Sequence, residues 1–91
     1  MTFAAITTTV SAQKINISGK VTEAATGTPI PFANVIVIGT RTGTTTDFDG
    51  LYSFSVDKGS DSLEVRYIGY VPRTKVIGTE NNQVINFQLD E

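Results

Sequence analysis

Asp47 and Asp49, two apart and followed by Gly50, are the carboxylates of this 91-residue chain whose spacing suits a cation loop. A calcium loop in that register would start at Thr45 and would need a bidentate Glu where Val56 stands. Turn chemistry accounts for the same residues better, because Asp side chains bond nearby backbone amides and Gly adopts positive φ freely. Lys20, Asn86 and Glu64 are the residue types of an acid-assisted Lys–Asn isopeptide bond, but all three alternate outward on their strands, which argues against it. Asn16-Ile17-Ser18 is a glycosylation sequon placed inside a strand, where attachment is disfavoured. Cysteine, histidine and tryptophan are absent, which removes thiol nucleophiles, Cys/His zinc sites, the Ser-His-Asp triad and the commonest proton shuttle at neutral pH. No enzyme activity, catalytic residue, metal or cofactor is therefore expected. Seven Lys or Arg against nine Asp or Glu leave a net charge of -2, so no basic surface for nucleic acid is expected either. Tyr52 and Tyr67 alternate inward, leaving Tyr70 as the clear aromatic candidate for stacking on a sugar, and direct carbohydrate binding is disfavoured.

These side chains must be held by strands. From Lys14 onward the period is two: Ile15, Ile17, Gly19 and Val21 alternate with Asn16, Ser18, Lys20 and Thr22. A loop carrying Pro29 and Pro31 follows, then an apolar run from Phe32 to Ile38, a Thr-rich run from Thr42 to Asp47, and a turn at Asp47-Phe48-Asp49-Gly50. Runs around Phe54, Val65 and Phe87 alternate in the same way, whereas Val76 and Ile77 argue for opposite faces of the run Arg73 to Ile77. About seven short, turn-separated strands without a helical window predict an all-β, antiparallel β-sandwich. With 40% hydrophobic and 18% charged residues the chain is too apolar for disorder. Its core is expected to gather Val21, Ala33, Val35, Val37, Phe54, Val56, Leu63, Val65, Tyr67, Ile85, Phe87 and Leu89.

Residues 1–12 read differently. Phe3-Ala4-Ala5-Ile6 and Thr7 to Val10 are uncharged and weakly apolar, and Val10-Ser11-Ala12 before Gln13 fits the small-residue pattern of a signal-peptidase site. We read 1–12 as the tail of a truncated export signal that packs on nothing, with a native disordered terminus or an extra edge strand as the alternative, and 13–91 as the domain. No run of about 18 apolar residues occurs, so no membrane insertion of this domain by a helix is expected.

The motifs Ile17-Ser18-Gly19-Lys20-Val21, Gly27-Thr28-Pro29-Ile30-Pro31-Phe32-Ala33-Asn34-Val35, Gly43 to Gly50 and Leu63-Glu64-Val65-Arg66-Tyr67-Ile68-Gly69-Tyr70 fall in the order of the carboxypeptidase regulatory-like domain. The chain resembles that domain from about Lys14 to Leu89, in the version found as the N-terminal extension of SusC/RagA-type TonB-dependent outer-membrane receptors. The resemblance implies a transthyretin-like (prealbumin-like) seven-stranded sandwich, exported and held in the periplasm ahead of the plug and barrel of a nutrient or glycan uptake receptor. It implies no zinc chemistry, since the family is an accessory sandwich and no residue here matches a peptidase ligand. Phe32 departs from the family pattern, which usually has Gly there. An accessory binding or spacer sandwich of a secreted or surface enzyme or adhesin is the alternative role.

The candidate functional residues are Phe32, Ile36 and Ile38. They face away from Val35 and Val37, on a side of the sandwich that should be polar, and an apolar stripe there suits either protein contact or cover by a neighbouring loop or the N-terminal segment. The partner expected is the receptor's own plug and barrel or another envelope protein.

Overall fold

The structure, a computed structural model, describes residues 14–91. The expected signal tail, 1–12, lies outside the described residues. Eight strands form two sheets: β1 (Lys14–Glu23), β2 (Asn34–Val37), β3 (Gly43–Thr45), β4 (Leu51–Asp57), β5 (Ser62–Arg66), β6 (Arg73–Val76), β7 (Asn82–Val84) and β8 (Phe87–Leu89). One sheet has the order β4-β1-β7, with β8 also on β1; the other is β3-β2-β5-β6. The seven expected runs are present, the last of them interrupted at Ile85-Asn86 to give β7 and β8.

One seam differs from a wholly antiparallel sandwich. Both β7 and β8 lie parallel to β1, with Ile17 opposite Gln83 and Thr22 opposite Gln88. Each connection reverses the chain, so the first and seventh runs travel the same way, and placing them side by side makes the pair parallel. Every other pairing is antiparallel.

The interruption follows from a close approach. At Gly19 the carbonyl of Ile85 folds over β1, and an added Cβ would sit 1.8 Å from that oxygen. The carbonyl is not left bare, because the buried Tyr52 hydroxyl donates to it at 2.5 Å. On either side of the break the Ile85 amide donates to the Ser18 carbonyl at 2.8 Å, and the Lys20 amide donates to the Asn86 side-chain oxygen at 2.9 Å. Asn86 thus supplies with its side chain the acceptor that the regular ladder lacks. Burial pushes the Tyr52 hydroxyl far above its ordinary pKa, so it stays a donor throughout the physiological range.

Inward-facing residues of both sheets make the core, including Val21, Ala33, Val35, Val37, Val56, Leu63, Val65, Ile85, Phe87 and Leu89, as alternation predicts. Ile15, Ile17, Ile30, Tyr52 and Ile77 join them. Two expectations need correction: Phe54 and Tyr67 are only half-buried and pack against the core from its edge. Phe54 lies on β4, which has a hydrogen-bonded neighbour on one side only, so no strand of its own sheet flanks it on the other. The run Arg73 to Ile77 is settled by the same packing, with Ile77 buried and Val76 outward. Thr46 is the buried polar side chain of the core; its hydroxyl donates to the Ile30 carbonyl at 2.7 Å and accepts from the Ala33 amide at 2.9 Å, tying the proline-bearing loop to the end of β3.

Candidate protein-contact surface

Ile36 and Ile38 point outward from β2, as period-two alternation requires. Ile36 is half-buried, flanked across the ladder by Gly43 on β3 and Glu64 on β5. Glu64 forms an ion pair with Arg66 at 2.5 Å, so polar groups border this side of Ile36. Ile38 is 46% exposed where β2 ends.

Phe32 does not continue that stripe. Its backbone is left-handed, with φ 60, which breaks the alternation two residues before β2 begins. Its amide donates to the Thr46 carbonyl at 3.0 Å, so the same pairing that holds the loop in place holds this conformation. Left-handed φ brings Cβ against the following carbonyl and costs about 1–2 kcal/mol for any residue but glycine. That is a physical reason for glycine at this position in the resembled pattern. The Phe32 ring, 55% exposed, meets the edge of the Phe48 ring with centroids 5.1 Å apart and planes at 77°. Because an alanine loses the ring but keeps the backbone penalty, Phe32→Gly is expected to be more stable than Phe32→Ala by about 1 kcal/mol. Urea midpoints of the two variants check this, and an alanine variant equal to or above the glycine one would show that the left-handed backbone is not strained.

Phe48 is the centre of the turn between β3 and β4. Asp47 shapes that turn, its side-chain oxygen accepting the amides of Asp49 and Leu51, both at 2.9 Å, while Gly50 takes φ 75. Of the two carboxylates read as a candidate cation loop, that of Asp47 therefore acts as a turn former, and among the described residues no group of three or more acidic side chains is gathered for a metal. Phe48 is left 80% exposed.

A third loop, 67–72, reaches the same end of the sandwich. Phe32, Asn34, Arg66, Tyr67, Ile68 and Pro72 line one open groove, and Ile68 stands 94% exposed beside it. Tyr70 is not a free platform: it is half-buried, its ring 5.8 Å from that of Tyr67, and its hydroxyl is pushed up to about 12 by the hydrogen-bonding Glu23 carboxylate first and by its surroundings after that. The Val71 amide donates to the Asp90 carbonyl at 2.7 Å, which fastens the chain beyond β8 beside this loop.

The other residues singled out by type are not assembled into reactive groups. Asn86 meets the backbone of Lys20 rather than its amine, Lys75 donates its amine to the Asn86 carbonyl at 2.6 Å, and Glu64 lies on the opposite sheet. The Asn16 amide nitrogen, where a glycan would attach, donates to Asn82 at 3.1 Å, and its oxygen accepts from Ser55 at 2.8 Å.

Phe48 and Ile68 were not among the sequence candidates. Both sit inside turn motifs, and alternation assigns no face to a turn residue. The available signal was a large apolar side chain at the tip of a turn, in Asp47-Phe48-Asp49-Gly50 and in Tyr67-Ile68-Gly69-Tyr70.

The family model described as CarboxypepD_reg-like domain matches residues 17–91. The chain is 39% identical over 82 residues to TonB-dependent receptor P3 of Formosa agariphila, a match covering 90% of this chain and 8% of that protein. It is 42% identical over 74 residues to TonB-dependent receptor SusC of Bacteroides thetaiotaomicron, covering 81% of this chain and 7% of that protein. The chain thus spans less than a tenth of the length of these relatives. Among solved structures, a type II cohesin–X-dockerin complex of Acetivibrio cellulolyticus contains a chain that superposes with TM-score 0.66 at 18% identity, over 80% of this chain and 52% of that one. A protein of unknown function from Bacteroides fragilis superposes with TM-score 0.62 at 21% identity, over 85% of this chain and 28% of that one. Both likenesses are of the β-sandwich fold alone.

Proposed function

Since this chain belongs to the CarboxypepD_reg-like domain family, its relatives being TonB-dependent receptors, we propose that it serves as the non-catalytic N-terminal module of an outer-membrane nutrient uptake receptor, lying in the periplasm. The observation that carries this reading is identity of 39% and 42% to two such receptors over 90% and 81% of the chain. In the absence of reactive assemblies among the described residues, the module's work is contact: it docks on the receptor's own plug and barrel or on another envelope protein. Glycan is the cargo class that the resemblance implies, handled by the barrel rather than by this sandwich.

The outward residues Ile36 and Ile38 are the contact residues on the sheet face, and Phe32 is the contact residue at its end. A double Ile36→Ser, Ile38→Ser substitution in the full-length receptor tests the face. Uptake is expected to fall while the melting temperature of the protein stays put; normal uptake rejects docking through β2, and lost stability shows that these side chains belong to the core. Localisation is checked separately, by finding the full-length protein in outer-membrane fractions of its host with this domain open to protease only after the outer membrane is breached.

A further inference from the structure

The two ends of the sandwich differ in kind. The loops at one end, 38–42, 58–61 and 77–81, consist of Gly, Thr, Ser, Asn and charged residues apart from the exposed Ile38 and the buried Ile77. The loops at the other end, 24–33, 46–50 and 67–72, carry Phe32, Phe48, Ile68 and Val71, all of them at least half exposed. Topology makes this a single surface: Asn34 at the start of β2 pairs with both Thr45 and Arg66, so the three loops flank one another. The Phe32–Phe48 ring contact and the groove shared by Phe32 and Ile68 join the pieces. An exposed cluster of this size, on a domain that tolerates a left-handed Phe to present it, marks a contact site rather than scattered surface apolarity.

Two features say what covers it. Among the described residues, Glu23, Asp47, Asp49 and Glu91 at this end take part in no salt bridge, Arg66 and Arg73 are each paired, and Lys20, which shares a groove with Asp47, is the one cation there outside a salt bridge, so the rim is net acidic. The occupant is therefore apolar with Lys or Arg around it. The bond from Val71 to Asp90 places the polypeptide leaving β8 beside the cluster, and in the relatives more than nine-tenths of the receptor lies outside the matched stretch. A segment tethered at the edge of a site reaches it at high effective concentration. We propose that this loop end is the seat for a basic-rimmed apolar segment of the same receptor polypeptide, C-terminal to this domain. The proposal rests on the receptor-module reading above and moves the principal contact from the β2 face to the end of the sandwich.

The test uses the full-length receptor in envelopes of its host, with a photoreactive benzoylphenylalanine at position 48 or 68 and, as controls, at 41 or 79 on the polar end. Peptide mapping is expected to show crosslinks from 48 and 68 to residues beyond Glu91 of the same chain, at least about tenfold above the controls. Replacing Asp49 and Glu91 by Lys should lower that yield severalfold. In parallel, Phe48→Ser with Ile68→Ser, both solvent-exposed sites, should speed protease cleavage after Glu91 by about tenfold or more. Crosslinks to residues 1–13, to a second copy or to a different protein overturn the proposal, as do yields no higher than the controls or unchanged cleavage. The fraction in which the protein is found is read in the same preparation. Absence from the outer membrane sinks the receptor reading, while a correctly placed, transporting receptor without the intramolecular crosslink sinks only the docking end.

Discussion

Gly19→Ala is expected to leave the domain largely unfolded at room temperature. The new Cβ would lie 1.8 Å from the Ile85 carbonyl oxygen and 2.7 Å from its carbon, both backbone atoms that cannot rotate away. Relief requires β1 and the β7–β8 run to separate, and that breaks the Ser18–Ile85 and Lys20–Asn86 bonds and draws the carbonyl off the Tyr52 hydroxyl. A buried donor without a partner costs about 1–3 kcal/mol, and overpacking adds about as much. A domain of this size has roughly 5 kcal/mol to lose. Circular dichroism and urea titration of the variant read the outcome. A cooperative transition within about 1 kcal/mol of the parent would mean that the seam is far more yielding than its geometry shows.

Phe87→Ala is expected to destabilise by about 3–5 kcal/mol, and Phe54→Ala by roughly half that. Phe87 is 1% exposed on β8, inside both sheets, and its removal leaves a cavity that the surrounding strands cannot close. Phe54 keeps part of its ring in water already, so truncation there loses less transfer free energy and leaves no enclosed void. Paired urea midpoints decide this. Equal losses would place Phe54 in the core after all, as its inward alternation on β4 suggests, and would require another element to cover it.

Alternation was enough to place most of the core, because a strand has only two faces and one of them must leave water. Val35, Val37, Leu63, Val65, Phe87 and Leu89 are buried for that reason alone. Phe54 shows the limit of the same rule: facing is a local property, whereas burial depends on whether a neighbouring strand exists, and β4 is an edge. The run Arg73 to Ile77 was ambiguous for a related reason. Adjacent Val76 and Ile77 cannot both face inward, and only the packing of Ile77 at the strand's end chose between them.

The candidate contact surface was legible in part. Ile36 and Ile38 follow from period two, but Phe32 was assigned to their face on the assumption that the strand starts there, and a left-handed residue invalidates that count. Phe48 and Ile68 had no periodic signal at all. Their neighbourhood is created by three turns, at residues 32, 48 and 68, that come together only when β3, β2 and β5 pair side by side in one sheet.

Residue types and their spacing were sufficient for the fold class, the strand pattern and the turn role of Asp47 and Gly50. Each of these depends on interactions within a few residues or on a two-fold choice of face. The parallel seam, the carbonyl of Ile85 lying over Gly19, the edge position of Phe54 and the apolar end required the folded chain, because they are set by which strands become neighbours. That is a property of long-range pairing between segments such as 14–23 and 82–89, and no local pattern in either segment encodes it.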